Sequence, residues 1–199
     1  MNLNNFQTDN STSFKGMFSR CVNLKELNVQ AFETKNATDL ESMFSYCSSL
    51  TYLNLTNFDT SNVITISDMF RCCYNLERVD FGKWNTQNVK YTNVMFKECY
   101  SLQTLDLSSW DTSQVVNAKY MFQGADKLEQ IYVSEYDEEN KVGWNTSNVA
   151  DSGENMFMGC YRIQGGNGTT YNSNYIDATY ARIDTEETPG YLTNIKDKK

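Results

Sequence analysis

The sequence predicts an α/β repeat: a right-handed solenoid with a parallel β-sheet on one side and short helical or 3₁₀ turns on the other. Three observations predict it. The dipeptide Met–Phe recurs at Met17, Met43, Met69, Met95 and Met121, each step being 26 residues. The residues around it keep one column order from copy to copy. Two hydrophobic periods share each copy, one of two residues and one of three to four.

The sheet side comes from stretches such as "LTYLNL". Ten residues after each Met stand Leu27, Leu53, Val79, Leu105 and Ile131, and twelve after stand Val29, Leu55, Phe81, Leu107 and Val133. That alternation suits a short strand with one face buried. Five parallel strands are expected near 26–30, 52–56, 78–82, 104–108 and 130–134, with a partial strand around Leu3.

The other side comes from stretches such as "VITISDMFRCCYNL", where Val63, Ile66, Met69, Phe70, Cys73 and Leu76 recur at threes and fours. A short helix or 3₁₀ turn is expected there. Between the two lies a turn such as "NFDTSN", whose side chains can bond nearby backbone.

A 26-residue unit cannot bury this core alone, whereas stacked copies can. At a strand spacing near 4.8 Å, six coils would measure roughly 25–30 Å. A sixth Met–Phe, at Met156, comes 35 residues after Met121. Nine residues are therefore extra, eight within "SEYDEENKVG" and one within "ADSGEN". The expected organisation is one domain over 1–199: about six repeats in 2–163, an insertion at 134–143 and a C-terminal capping segment at 164–199. Leu3 and Phe6 already stand in register, so the chain reads as opening inside a repeat, as a piece of a longer protein would.

Composition bounds the function. The 199 residues carry a formal charge of −8, a single proline and no histidine. Acidity argues against binding nucleic-acid phosphates, which calls for clustered Lys and Arg. The missing histidine removes the usual general base and the commonest zinc ligand. No run of 18 apolar residues is present, so no membrane-spanning segment is expected, and "MNLNNFQTDN" is not a signal peptide.

The fuller pattern carries a resemblance. "L-x-x-L-x-L" followed by a turn is the leucine-rich-repeat core. "MF-x-x-C-x-x-L-x-x-L-x-L-x-x-[FW]-[DN]-T-S-[NQ]-V" resembles the 26-residue surface repeat of BspA-like bacterial proteins, also described from mycoplasma and Listeria lipoproteins. The resemblance spans roughly Leu3 to Ile163, and "GGNGTTYNSNYIDATYARIDTEETPGYLT" resembles the block that often follows the last repeat. It implies an extracellular or cell-surface protein engaged in adhesion or in binding a protein or glycan on another cell or matrix. Ala125 replaces the column Cys in one copy, and residues 118–155 depart most from the pattern.

The conspicuous residues have structural explanations. Cys21, Cys47, Cys73, Cys99 and Cys160 stand one per coil, with side-chain vectors expected to run parallel, which disfavours disulfides. Buried free thiols are expected, with Cys72 outside the column and exposed. The Thr column (Thr34, Thr60, Thr86, Thr112, Thr146) and the Asn column (Asn36, Asn62, Asn88, Asn148, with Gln114) should form ladders between coils. Phe58, Trp84, Trp110 and Trp144 should form a core spine. The acids Glu135, Asp137, Glu138 and Glu139 lack a calcium-loop pattern and read as a solvated loop.

No catalytic constellation is present: no nucleophile elbow, P-loop or convincing dinucleotide motif. Asp80 and Asp106 hold the same place in their own coils, so repetition explains them better than paired-carboxylate catalysis. The sequence reads as a non-enzymatic binding module without a cofactor or metal. The alternative is a purely structural spacer or scaffold of a larger surface protein. Outward strand positions are free of stacking duty, and among them Tyr52, Arg78, Gln130 and Tyr132 are the candidate partner-binding residues.

Overall fold

The computed structural model describes residue 3, residues 6–140 and residues 142–198. Successive copies of the repeat lie side by side at a register of 26 residues. β1 (Tyr52–Asn54) pairs in parallel with β2 (Arg78–Asp80), placing Tyr52 against Arg78 and Asn54 against Asp80. β3 (Thr104–Asp106) pairs in parallel with β4 (Gln130–Val133), and β4 in turn with β5 (Thr193–Asn194), which arrives from the C-terminal segment. A second line of parallel bridges joins Ser13, Asp39, Thr65, Tyr91 and Asn117, again one per copy.

Alternation explains the strands. Leu53, Val79, Leu105 and Ile131 point inward and are buried, while the residues before and after them face out. Each fully buried side chain of this kind contributes about 1.5–3 kcal/mol. No strand forms at 26–30. There Leu24 and Leu27 are only partly buried, and the Gln30 side chain takes the Asn54 carbonyl. The partial strand expected around Leu3 falls largely outside the described residues. Leu3 itself is buried and in no strand. The sheet is also interrupted between β2 and β3, which share no ladder, so it consists of a two-stranded and a three-stranded piece.

The Met–Phe side is built from consecutive turns rather than helix. Within one copy, Met43 N–H donates to Leu40 C=O, Ser45 to Ser42, Cys47 to Phe44 and Leu50 to Cys47. The N–H groups in between point along the stack: Ser42 donates to Ser67, Phe44 to Met69 and Tyr46 to Arg71. Every junction from the first coil to the sixth repeats this triple. A helix would aim all its N–H groups one way, whereas here alternate residues serve their own coil and the next. Two left-handed residues per copy make the alternation possible. The residue before each Met and the residue three after it have positive φ: Ser42 and Tyr46 at 58° and 61°, Asp68 and Cys72 both at 58°, Val94 and Glu98 at 64° and 61°. They occupy the third position of their turns, where a type II turn requires positive φ. The 3₁₀ helices found are Ala150–Gly153, Ala178–Tyr180 and Ile195–Asp197, all C-terminal to β4.

Between the two sides the core is columnar. Phe18, Phe44, Phe70, Phe96, Phe122 and Phe157 stack ring on ring at 5.4–5.8 Å. Trp84 lies between Phe58 at 6.4 Å and Trp110 at 6.0 Å. Trp84 Nε1 donates to Leu55 C=O and Trp144 Nε1 to Ala181 C=O, while Trp110 Nε1 is buried with no partner. All six cysteines are unpaired. Cys47, Cys73, Cys99 and Cys160 are buried, and each donates its thiol to the column Phe carbonyl one coil back, at 3.0–3.2 Å. Cys72, expected to be exposed, is buried as well, its thiol directed to Glu98; its positive φ turns the side chain into the junction between coils. Cys21, in the edge coil, is the exposed one.

Thr and Asn form ladders. Thr34, Thr60, Thr86 and Thr112 donate to the carbonyls of Asp59, Asn85, Asp111 and Asn145. Asn36, Asn62, Asn88 and Asn148 donate in the opposite direction, to Asp9, Lys35, Ser61 and Ser113.

Residues 164–198 close the far end of the stack. Tyr191 meets Phe157 edge-on at 5.1 Å, and Phe157 N–H donates to Ile176 C=O. The segment is pinned by Asp184, whose carboxylate accepts the N–H groups of Asn167, Thr169 and Gly190 and the Thr169 hydroxyl. Gly165 is required at this knot, since a Cβ there would come within 2.2 Å of the Gly190 carbonyl oxygen.

Candidate functional site

The four candidate residues fall on the outward face of the sheet, in two separate pairs on either side of the interruption between β2 and β3. The residue before each inward side chain faces out, which places Tyr52 and Arg78 next to each other across the β1–β2 ladder. Both are exposed. Arg78 forms a bidentate pair with Asp80 on its own strand, Nε to Oδ1 and Nη2 to Oδ2, both at 2.7 Å. Tyr52 donates its hydroxyl to Asp80 Oδ2 at 2.7 Å, and the guanidinium stands 5.5 Å from its ring centroid. The hydrogen bond to Asp80 raises the pKa of the Tyr52 phenol and that of Arg78.

The second pair is Gln130 and Tyr132 on β4, whose side chains bond to each other through the Tyr132 hydroxyl and Gln130 Oε1. Tyr132 stands across the β3–β4 ladder from Asp106. Between them lies a residue the sequence reading passed over. Lys198 donates to Asp106 Oδ2 at 2.7 Å and sits 4.8 Å from the Tyr132 ring centroid. Asp106 Oδ1 accepts the N–H and hydroxyl of Ser108. Burial pushes the Asp106 pKa up, but the bonds from Lys198 and Ser108 outweigh it and hold the carboxyl below its ordinary value.

Lys198 reaches this point because β5 docks on β4 and the chain then makes the 3₁₀ turn Ile195–Asp197, capped by Asn194 Oδ1 on Lys196 N–H. The same turn places Lys196 Nζ 3.1 Å from Glu135 Oε2, while Asn194 donates to Glu135 Oε1. The interruption between the two pairs forms a crevice lined by Thr56, Val79, Asp80, Phe81, Gly82 and Asp106.

The sequence reading thus reached the aromatic and basic members of the face. It missed Asp80 and Asp106 as their anchors, and Lys198 altogether. The spacing of Arg78 and Asp80, two apart on one strand face, was the available signal for the first; nothing periodic marks Lys198.

Among the described residues, no group of three or more Cys, Asp or Glu is arranged to hold a metal. In the insertion, Asp137 and Val142 form an antiparallel bridge, and Asp137 Oδ1 accepts the N–H groups of Glu139 and Asn140. No helix among the described residues is long and apolar enough to cross a membrane.

The family described as "Mycoplasma protein of unknown function, DUF285" matches at residues 1–52, 12–136 and 45–166. The chain belongs to that family. No curated protein and no solved structure gives a significant match.

Proposed function

We propose that this protein is a BspA-like leucine-rich-repeat solenoid that acts outside the cell or at its surface as a non-enzymatic binding module for a protein or glycan of another cell or matrix. One observation carries this reading. The outward sheet face bears Tyr52, Arg78 and Tyr132, while the residues needed for stacking point inward. Tyr and Arg are the side chains that contribute most at protein interfaces. The repeat resemblance supports the surface role, and the matched family is itself described as of unknown function.

The spacer reading has its own supporting observation: Arg78, Asp80 and Tyr52 already satisfy one another, as do Gln130 and Tyr132.

The test sets the parent chain and the triple variant Tyr52→Ala, Arg78→Ala, Tyr132→Ala against an immobilised glycan array and a panel of matrix proteins. Surface substitutions usually stay within about 0.5 kcal/mol of parent stability, so thermal unfolding should barely move. Binding by the parent should weaken at least tenfold in the variant, a change that needs only about 1.4 kcal/mol. A folded variant that binds as the parent does would move the site off the sheet, with the turn side bearing Thr60 and Asn62 as the next candidate. A parent that binds nothing on either surface would favour the spacer.

A further inference from the structure

The binding chemistry of the sheet face is displayed by the chain itself. Two sites on this face have the same make-up: a strand carboxylate, a tyrosine ring and one cation between them. In the first, the Arg78 guanidinium lies between Asp80 and Tyr52. In the second, the cation is the ammonium of Lys198, held by Asp106 and Tyr132. The origins differ. Arg78 belongs to the same strand as Asp80, so that site is filled from within the sheet. Lys198 comes from a tail 92 residues away in sequence from Asp106. The side chains of Lys198 and Asp106 remain 44% and 45% exposed, so the contact is open to exchange.

Lys196 forms a simpler pair beside it, its ammonium on Glu135 and 73% exposed. Two lysines spaced by one residue are thus laid over two carboxylates. An aromatic ring beside a carboxylate selects an organic cation, since the ring attracts charge while the carboxylate fixes the N–H direction. The chain's net charge of −8 favours approach of a cationic partner.

We propose that Asp106, Tyr132 and Glu135 form a receptor site for a lysine-bearing segment of a partner protein, and that the tail at residues 195–198 occupies it as an intramolecular strap. The proposal rests on the outward sheet being the binding face and names the partner's chemistry there. An incoming Lys-x-Lys segment displaces Lys196 and Lys198, which therefore act as competitors. The contacts are surface pairs, each modest alone, so the strap lowers affinity without abolishing it.

The experiment uses the full chain and the double variant Lys196→Ala, Lys198→Ala. The probe is the peptide acetyl-Asn-Ile-Lys-Asp-Lys-Lys-amide, which is the tail's own sequence from Asn194, followed by isothermal titration at low salt. Circular dichroism and thermal unfolding establish that every variant is folded. The freed site should bind the peptide at least threefold more tightly than the parent. Adding Asp106→Asn or Tyr132→Phe to the double variant discriminates further. Asp106→Asn should remove the gain, while Tyr132→Phe, which keeps the ring, should retain it. Equal affinity in parent and double variant, absence of binding in both, or a gain indifferent to Asp106→Asn would each overturn the proposal. Spermidine serves as the free-amine arm. If it binds the freed site as tightly as the peptide and with the same dependence on Asp106, the partner is a polyamine and the proposed protein segment is wrong. Failure here leaves the surface-binding reading intact if the parent still captures a partner on the array through Tyr52 and Arg78.

Discussion

Val94 is the residue whose backbone is most at odds with its side chain. It has φ of 64°, its N–H donates to Lys119 C=O one coil on, and its carbonyl accepts from Lys97. A left-handed residue with a Cβ costs about 1–2 kcal/mol, and a β-branched one more, because both γ-carbons crowd the backbone. Other copies answer the same demand differently: Gly16, Asp68 and Asn155 stand at that register, Asn155 with φ of 53°. Val94→Asn should therefore relieve strain while keeping both backbone bonds. The loss on the other side is a half-buried side chain, about 0.8–1.5 kcal/mol when full burial of a valine contributes about 1.5–3. Val116→Asn measures that loss alone, since Val116 is 38% exposed and not in the left-handed region. Val94→Asn should be more stable than Val116→Asn by about 1–2 kcal/mol. For a chain of this size each kcal/mol corresponds to about 2–4 °C in melting temperature. Thermal unfolding followed by circular dichroism, with urea melts as a check, reads the difference. If the two variants shift equally, the left-handed column is not a source of strain and the account of the turns fails.

Two further outcomes follow from buried groups. Asp184 is 7% exposed, and burial pushes its pKa up, but the bonds from Thr169, Gly190 and Asn167 outweigh this and hold it below the ordinary carboxylate value. A lowered folded pKa contributes stability above the unfolded value of about 3.9 and loses it as pH falls through the folded one. Hydrogen-exchange protection of residues 164–198, measured against the intrinsic rate at each pH, should therefore fall below about pH 4 in the parent, and Asp184→Asn should show low protection already at pH 7 with little further loss on acidification. The thiols should divide by position: Cys21 reacts with a thiol reagent in the folded chain, while Cys47, pushed by burial to about 12, and Cys73, Cys99 and Cys160, also raised by burial, react only after unfolding. Peptide mapping of the labelled protein checks this, and labelling of Cys99 at native pH without unfolding would contradict the buried column.

The strands were legible because alternation records one buried face directly. Leu53, Val79, Leu105 and Ile131 could occupy no other side without exposing the whole column. The Met–Phe side was not legible in the same way. Apolar residues at threes and fours arise equally from a helix and from alternating turns, and hydrogen-bond direction leaves no hydrophobic trace. A trace exists at the position before each Met, where Gly16, Ser42, Asp68 and Asn155 are types that favour turns or tolerate positive φ. Val94 and Tyr120 in the same column conceal it.

The site shows a similar division. Tyr52 and Arg78 could be reached from the sequence because the sheet face repeats, whereas Lys198 could not, because the tail obeys no period. The consequence reaches beyond the missing residue. A face read from its exposed aromatics and arginine looks unsatisfied and ready for contact. With Asp80 and Lys198 in place, each ring and each carboxylate is already paired with a cation. On the proposed reading, binding at such a face is an exchange of one cation for another, with affinity set by how firmly the resident cation is held. Arg78, fixed bidentately on its own strand, is difficult to displace. Lys198, held by one hydrogen bond at the end of a flexible stem, is the member that can give way.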